Sequence, residues 1–227
     1  MSIKLSDYVI EEISKITDHV FLVPGGGCIH LVDSISKTNL IPVANLHEQG
    51  ASICAESYSQ YNKRIGVCLV TTGPGATNAL TGVASAWLDS IPLIIITGQV
   101  QNKHRVKNKG VRQLGFQEID TASIYKNITK YCVTVEKAND IKFHFEKALY
   151  LANNGRPGPV LLDIPLDVQS TFIDLSKLKG YSPKPVNYNF NDFDKIINDL
   201  YQAKRPVVLV GNGVRLSNSV QEFYEFI

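Results

Sequence analysis

Apolar positions along the chain fall into two alternating rhythms. Leu5, Tyr8, Val9, Ile13 and Ile16 recur at helical spacing, with Ser6 placed as an N-cap, and His19 to Val23 follows as a short buried strand. Pro24-Gly25-Gly26-Gly27 then turns into a helix carrying Ile29, Val32 and Ile35. Further apolar runs at Ile41 to Ala44, Ile65 to Thr71, Pro92 to Thr97, Ile128 to Val135 and Val160 to Ile164 read as strands. The intervening helices have Ala51, Cys54, Ala55 and Tyr58 on one inward face and Ala76, Leu80, Val83, Ala84, Trp87 and Leu88 on another; Asp140 to Ala152 forms the last. Each helical segment is long enough to cross over a sheet. The alternation therefore predicts an α/β domain, a parallel sheet flanked by helices on both faces, over residues 1–165.

The rhythm fades over residues 166–191, where Gly180, Pro183 and Pro185 punctuate a polar stretch that reads as an interdomain linker. Residues 192–227 begin a second α/β unit: a helix with Ile196, Ile197 and Leu200, a strand Val207 to Val210, and a Gly211-Asn212-Gly213 turn into a helix. One strand and two helices cannot close a core. The chain is accordingly expected to be the N-terminal part of a longer protein.

Composition narrows the class of partner. With 23 Lys and Arg against 21 Asp and Glu, the net charge is +2, and no basic run argues for nucleic acid. No apolar run approaches the roughly 20 residues that span a bilayer, and no signal-peptide pattern opens the chain, so a cytoplasmic protein with a small-molecule partner is expected. Cys28, Cys54, Cys68 and Cys132 are widely spaced among apolar or small residues and read as buried thiols rather than disulfides or zinc ligands. His47-Glu48 begins like a zinc-binding H-E-x-x-H, but the fifth position is Ala51, and no metal ligand is assigned.

Two junctions carry the chemistry. Glu48 stands between a strand and a helix, where a carboxylate can face a pocket. Thr71-Thr72-Gly73-Pro74-Gly75 breaks a buried strand and enters a helix, so the backbone can approach a ligand beside the partly positive helix N-terminus. Pro24 to Gly27 forms a third turn, but His30 stands where a dinucleotide fingerprint needs its last glycine.

The segments H-E-Q-G-A (47–51), T-G-P-G-A-T-N (72–78), L-D-S-I-P-L-I-I-I-T-G-Q (88–99), G-F-Q-E-I-D (115–120) and G-R-P-G-P-V-L-L-D-I-P-L-D-V-Q (155–169) occur in the order found in thiamine-diphosphate enzymes. The chain resembles the N-terminal, pyrimidine-binding domain of the acetolactate synthase large subunit. The resemblance implies that Glu48 is the catalytic carboxylate that hydrogen-bonds the cofactor's pyrimidine ring, and that Pro24, Gly25, Gly26, Thr71, Thr72, Gly73, Pro74 and Asn78 contact the cofactor. It implies a substrate side formed by Gly26, Phe116, Gln117 and Lys130. Diphosphate and Mg2+ are expected on a C-terminal domain with a G-D-G motif, which this chain lacks, and flavin (FAD) is left open.

The implied function is decarboxylation of a 2-oxo acid, with pyruvate as donor, and transfer of the acyl group to a carbonyl acceptor. This would take place in a dimer or tetramer with the site between subunits. Val23 stands where the family usually has an aromatic, Leu46 where an arginine commonly precedes His-Glu, and Gly110 to Gly115 differ from the synthase approach to Phe116-Gln117. These departures bring in a rival acceptor, an aldehyde, ketone or sugar. A non-catalytic domain that keeps the fold is the remaining alternative.

Overall fold

The structure is a computed structural model that describes residues 2–107, 110–184 and 193–227. It separates into two compact units, residues 1–182 and 183–227. In the first, β1 (Ser2–Lys4) leads into α1 (Leu5–Ser14), followed by β2 (His19–Leu22), α2 (Ile29–Ile35), β3 (Ile41–Ala44) and α3 (Glu48–Asn62). Next come β4 (Gly66–Val70), α4 (Pro74–Asn78), α5 (Leu80–Asp89) and β5 (Leu93–Gln99). The unit finishes with α6 (Thr121–Tyr125), β6 (Tyr131–Thr134), α7 (Ile141–Asn153), β7 (Pro159–Pro165), α8 (Leu166–Gln169) and β8 (Phe172–Asp174).

Strands β2 to β7 form one parallel sheet in the order β3-β2-β4-β5-β7-β6. Its two faces are built differently. Val67, Leu69, Ile94, Ile96, Val160 and Leu162 pack with Leu5, Val9, Ile13, Leu31 and Phe145 in a large apolar cluster that draws on α1, α2 and α7. On the alternate positions Cys68, Leu93, Ile95 and Leu161 are also fully buried, on the side of α3 to α6. The small residues Ala51, Ala55, Ala76, Ala79 and Ala86 let those helices lie close to the sheet. The central strands are covered on both sides, which explains their unbroken apolar runs.

Several local expectations change once the elements pack. The N-cap of α1 is Lys4, with no side-chain bond, while Ser6 is buried and its hydroxyl meets Ser34 Oγ at 2.9 Å. The buried face of α3 is Ala51, Ser52, Ala55, Glu56 and Ser59; Cys54 and Tyr58 stay half-buried. On α5 the apolar stripe divides: Val83 and Ala86 are buried, but Trp87 and Leu88 are exposed. All four cysteines are free, Cys28 and Cys68 buried, Cys54 and Cys132 only partly.

The expected linker also starts later than residue 166. Residues 166–174 fold back onto the unit through α8 and through β8, which pairs antiparallel with β1 from Ser2↔Asp174 to Lys4↔Phe172. Pro185 and the rest of 185–192 lie outside the described residues.

The second unit contains α9 (Phe193–Gln202), α10 (Gly213–Leu216) and α11 (Val220–Phe226). Val207 to Val210, expected as a strand, has no strand structure and is exposed, with Leu209 98% accessible. A strand needs a neighbour to accept its hydrogen bonds, and the described residues of this unit offer none. Among the described residues no helix is long and apolar enough to cross a membrane.

Candidate active site

A parallel sheet presents the loops that follow its strands at one end, and the order of the strands decides which loops meet there. Here β3 lies on one side of β2 while β4 lies on the other, so the chain reverses direction across the sheet between β2 and β4. The loops leaving those two strands diverge and open a crevice, the usual ligand position in an open α/β sheet. The glycine turn after β2 and the Thr71-Thr72-Gly73 turn after β4 face each other across it.

Their packing is close. The Gly27 N–H donates to Thr71 Oγ1 at 3.0 Å. A Cβ at Gly25 would lie 2.6 Å from Thr71 Cβ, and one at Gly27 would overlap Thr72 Oγ1. From the other side, Gly98, the next-to-last residue of β5, lies directly against the Gly27 carbonyl, leaving no room for a side chain at position 98. Gln169 Nε2 holds that carbonyl at 2.7 Å, so the turn is fixed from two directions.

A cavity of about 280 Å³ results, lined by Gly25, Gly26, Gly27, Thr71, Thr72, Gln99, Val100, Phe116, Gln117 and Leu166. Phe116 is 82% accessible and available at the rim. Gly73 and Gln117 are both left-handed, with φ of 63° and 58°. The Gln117 carbonyl lies where a Gly73 side chain would stand, so the two turns interlock. Thr72 Oγ1 is buried here with no hydrogen-bond partner, an unmet polar group beside the cavity.

Glu48 is the first residue of α3. His47 caps that helix, its Nδ1 accepting from the Gln49 N–H at 3.1 Å, so His47 has a structural task. The Glu48 carboxylate gains from the helix N-terminus, and Asn78 Nδ2 donates to its Oε2 at 2.9 Å. Oε1 lies 3.3 Å from the position of an added Gly75 Cβ, which itself would meet Thr71 at 2.7 Å. Glu48 therefore does not line the cavity; Thr71 to Gly75 stands between them, touching both. Tyr125 supports that segment from the core, its buried hydroxyl donating to the Ala76 carbonyl at 2.6 Å.

The structure thus brings Gly25, Gly26, Thr71, Thr72, Phe116 and Gln117 to one cavity, with Gly73 against Gln117 and Asn78 on Glu48. Pro24 leads into the turn without forming the wall, and Pro74 starts α4. Lys130 is not with them. It precedes β6 and so lies at the opposite end of the parallel sheet, its Nζ donating to the Asn154 and Arg156 carbonyls, both at 2.6 Å. Burial lowers its pKa. That arrangement ties down the loop between α7 and β7.

Gly27, Gln99, Val100, Leu166 and Gln169 also reach the site; the sequence places Gly27 in the glycine turn and Gln99, Leu166 and Gln169 in the family-like segments, but gives none of the five a role. Gln99 had a signal, a polar side chain closing the apolar run Leu93 to Ile96. Leu166 and Gln169 close the segment 155–169, but that they reach this site is decided only by the fold-back after β7.

Comparison with known proteins agrees with this geometry. Residues 3–124 match the family model described as thiamine pyrophosphate enzyme, N-terminal TPP binding domain. The acetolactate synthase large subunit of Lactococcus lactis is 36% identical over 233 residues, covering 98% of this chain and 39% of that protein. Its counterpart from Corynebacterium glutamicum is 39% identical over 226 residues, covering 96% and 34%, and that of Buchnera aphidicola is 36% identical over 216 residues, covering 92% and 37%. The chain spans somewhat over a third of the length of these relatives. A glycine-bounded cavity at the strand reversal, a carboxylate at the head of α3 and the match over residues 3–124 together place this chain in the thiamine pyrophosphate enzyme family.

Proposed function

We propose that this chain provides the pyrimidine-binding side of a thiamine-diphosphate site in a 2-oxo acid decarboxylating carboligase of the acetolactate synthase kind, with pyruvate as donor. The observation that carries the reading is the Glu48–Asn78 pair at 2.9 Å, set against the Thr71 to Gly75 wall of the cavity. What supports the fit is open space over Gly26, where no atom lies within 4 Å of an added Cβ, a Thr72 Oγ1 without a polar partner, and a Glu48 Oε1 that reaches Gly75 beside the Thr71 side chain.

Thiamine diphosphate, when bound, supplies the electron sink that lets a 2-oxo acid lose carbon dioxide and pass on its acyl group. Glu48 would share a proton with a pyrimidine nitrogen, and Asn78 keeps Oε2 engaged so that Oε1 is the atom offered. Thr71, Thr72 and Gly73 would bound the ring, with Pro24 to Gly26 opposite. Phe116 and Gln117 would meet the substrate. Diphosphate and magnesium are assigned to residues outside this chain, since its relatives are far longer and it contains no G-D-G. Alone it is then expected to be inactive, and flavin has no assigned residues here.

Assembly with a second copy belongs to the same reading. Glu48 is half exposed, and Leu46, Ile53, Trp87 and Leu88 leave an apolar surface on and beside α3 and α5. A cytoplasmic location is supported by four free thiols.

The test is Glu48→Gln in the full-length protein, which keeps the shape and the helix. Release of labelled carbon dioxide from pyruvate should fall about 10²- to 10⁴-fold. Near-normal release would remove Glu48 from the chemistry. Running the wild type with pyruvate alone and with aldehydes, ketones and keto sugars decides the acceptor, which the departures at Val23 and Leu46 leave open.

A further inference from the structure

Strand β7 carries an ionisable group where the sheet offers it no water. Asp163 is fully buried, and its register partners are Thr97 on β5 and Thr134 on β6. Its carboxylate accepts from Thr97 Oγ1 at 2.7 Å, from Thr134 Oγ1 at 2.9 Å and from Gln99 Nε2 at 3.2 Å. Of these donors only Gln99 reaches the cavity wall. The same Nε2 also donates to the Ile119 carbonyl at 3.0 Å, while Gln99 Oε1 accepts from the Val100 N–H at 2.9 Å. Ile119 ends the loop that carries Phe116 and Gln117.

We propose that Asp163 is a positioning residue: it fixes the Gln99 amide and, through it, ties the Ile119 carbonyl and the Phe116-Gln117 wall to the sheet. The inference rests on reading that wall as the substrate side of the site. An ionised carboxylate is acceptor-only, so it admits the nitrogen end of Gln99 and rejects the oxygen end. Turning the amide over would set Oε1 against Oδ2 and leave the Ile119 carbonyl without this donor. The two threonine hydroxyls fill lone pairs that Gln99 does not use and hold the carboxylate still. Burial pushes the Asp163 pKa up to about 6, so the group is an acceptor at neutral pH; the cation acting on it is Arg105, itself paired with Glu136 at 2.7 Å. Glu48 and Asn78 take no part in this chain of contacts; of the residues assigned to the cofactor, Gly73 touches it, against the Gln117 carbonyl.

Three variants of the full-length protein test it: Asp163→Ala, Asp163→Asn and Gln99→Leu. Asparagine keeps an oxygen for Gln99 and Thr134, while the Thr97 hydroxyl can rotate to accept from the new amide. Hydrogen–deuterium exchange is followed over residues 115–121 without ligand, and KM and kcat are measured for pyruvate. In Asp163→Ala and Gln99→Leu, exchange over 115–121 should rise roughly tenfold with the central strands unchanged, the effect of losing one buried hydrogen bond. KM should rise by a similar factor and kcat should change less. Asp163→Asn should stay near wild type in both readouts.

Unchanged protection over 115–121 in Gln99→Leu would overturn the proposal, as would an Asp163→Asn that behaves like Asp163→Ala. If alanine at 163 loosens the whole sheet, Gln99→Leu decides alone, because it leaves the carboxylate and both threonines in place. A loosened loop with KM unmoved would leave the tie standing and overturn the assignment of this wall to substrate.

Discussion

Replacing Asp163 by asparagine should stabilise the fold at neutral pH and remove a specific pH dependence. The carboxyl has its pKa raised from 3.8 to about 6, chiefly by burial, against three side-chain hydrogen bonds that lower it. Ionising it in the folded chain therefore costs about 3 kcal/mol more than in the unfolded chain. Between pH 3.8 and about 6 the folded state keeps a proton that the unfolded state has released. Stability attributable to this group is then full below the lower value, falls by up to about 1.4 kcal/mol per pH unit as pH rises through the window, and is flat above it. Asparagine carries no such proton, so the variant lacks that fall and gains up to about 3 kcal/mol relative to wild type above pH 7. Urea unfolding from pH 4 to 8 measures both, and the sole tryptophan, Trp87, lies on α5 and so reports on the first unit. The quantity to plot is the difference between the two proteins, which cancels other titrating groups. A difference that stays level across pH 4 to 7 would refute the reasoning, because it would mean that Asp163 has similar pKa values folded and unfolded.

Two further substitutions separate the ends of the sheet. Lys130→Met should lower stability by about 1–2 kcal/mol, because the Asn154 and Arg156 carbonyls lose their donor, yet leave KM for pyruvate within about twofold; a large rise in KM would bring Lys130 back to the substrate side. Gly98→Ala drives a methyl group into the Gly27 carbonyl and should cost about 1–3 kcal/mol by thermal unfolding while also impairing cofactor binding, whereas an unperturbed variant would show that the glycine turn can move.

The sequence by itself determined the alternation of helices and strands, since burial on both faces makes β4, β5 and β7 continuous apolar runs that periodicity can detect. It also placed Glu48 and the Thr71 to Gly75 turn, because turn chemistry and helix starts are local properties of adjacent residues. What it could not hold was anything that depends on strand order and register. The family resemblance puts Lys130 on the substrate side, but a parallel sheet sends the start of β6 to the end opposite the loops that follow β2, β4 and β5. Trp87 and Leu88 fit an apolar stripe, yet α3 covers only part of α5, and the stripe runs past the contact into solvent. Val207 to Val210 has the composition of a strand and no neighbour among the described residues of its unit to make it one. Asp163 appears in the sequence as one acid in an apolar run; only the register that sets Thr97 and Thr134 on either side of it, with Gln99 two residues along the same face, gives that carboxylate its donors and its reach to the cavity wall.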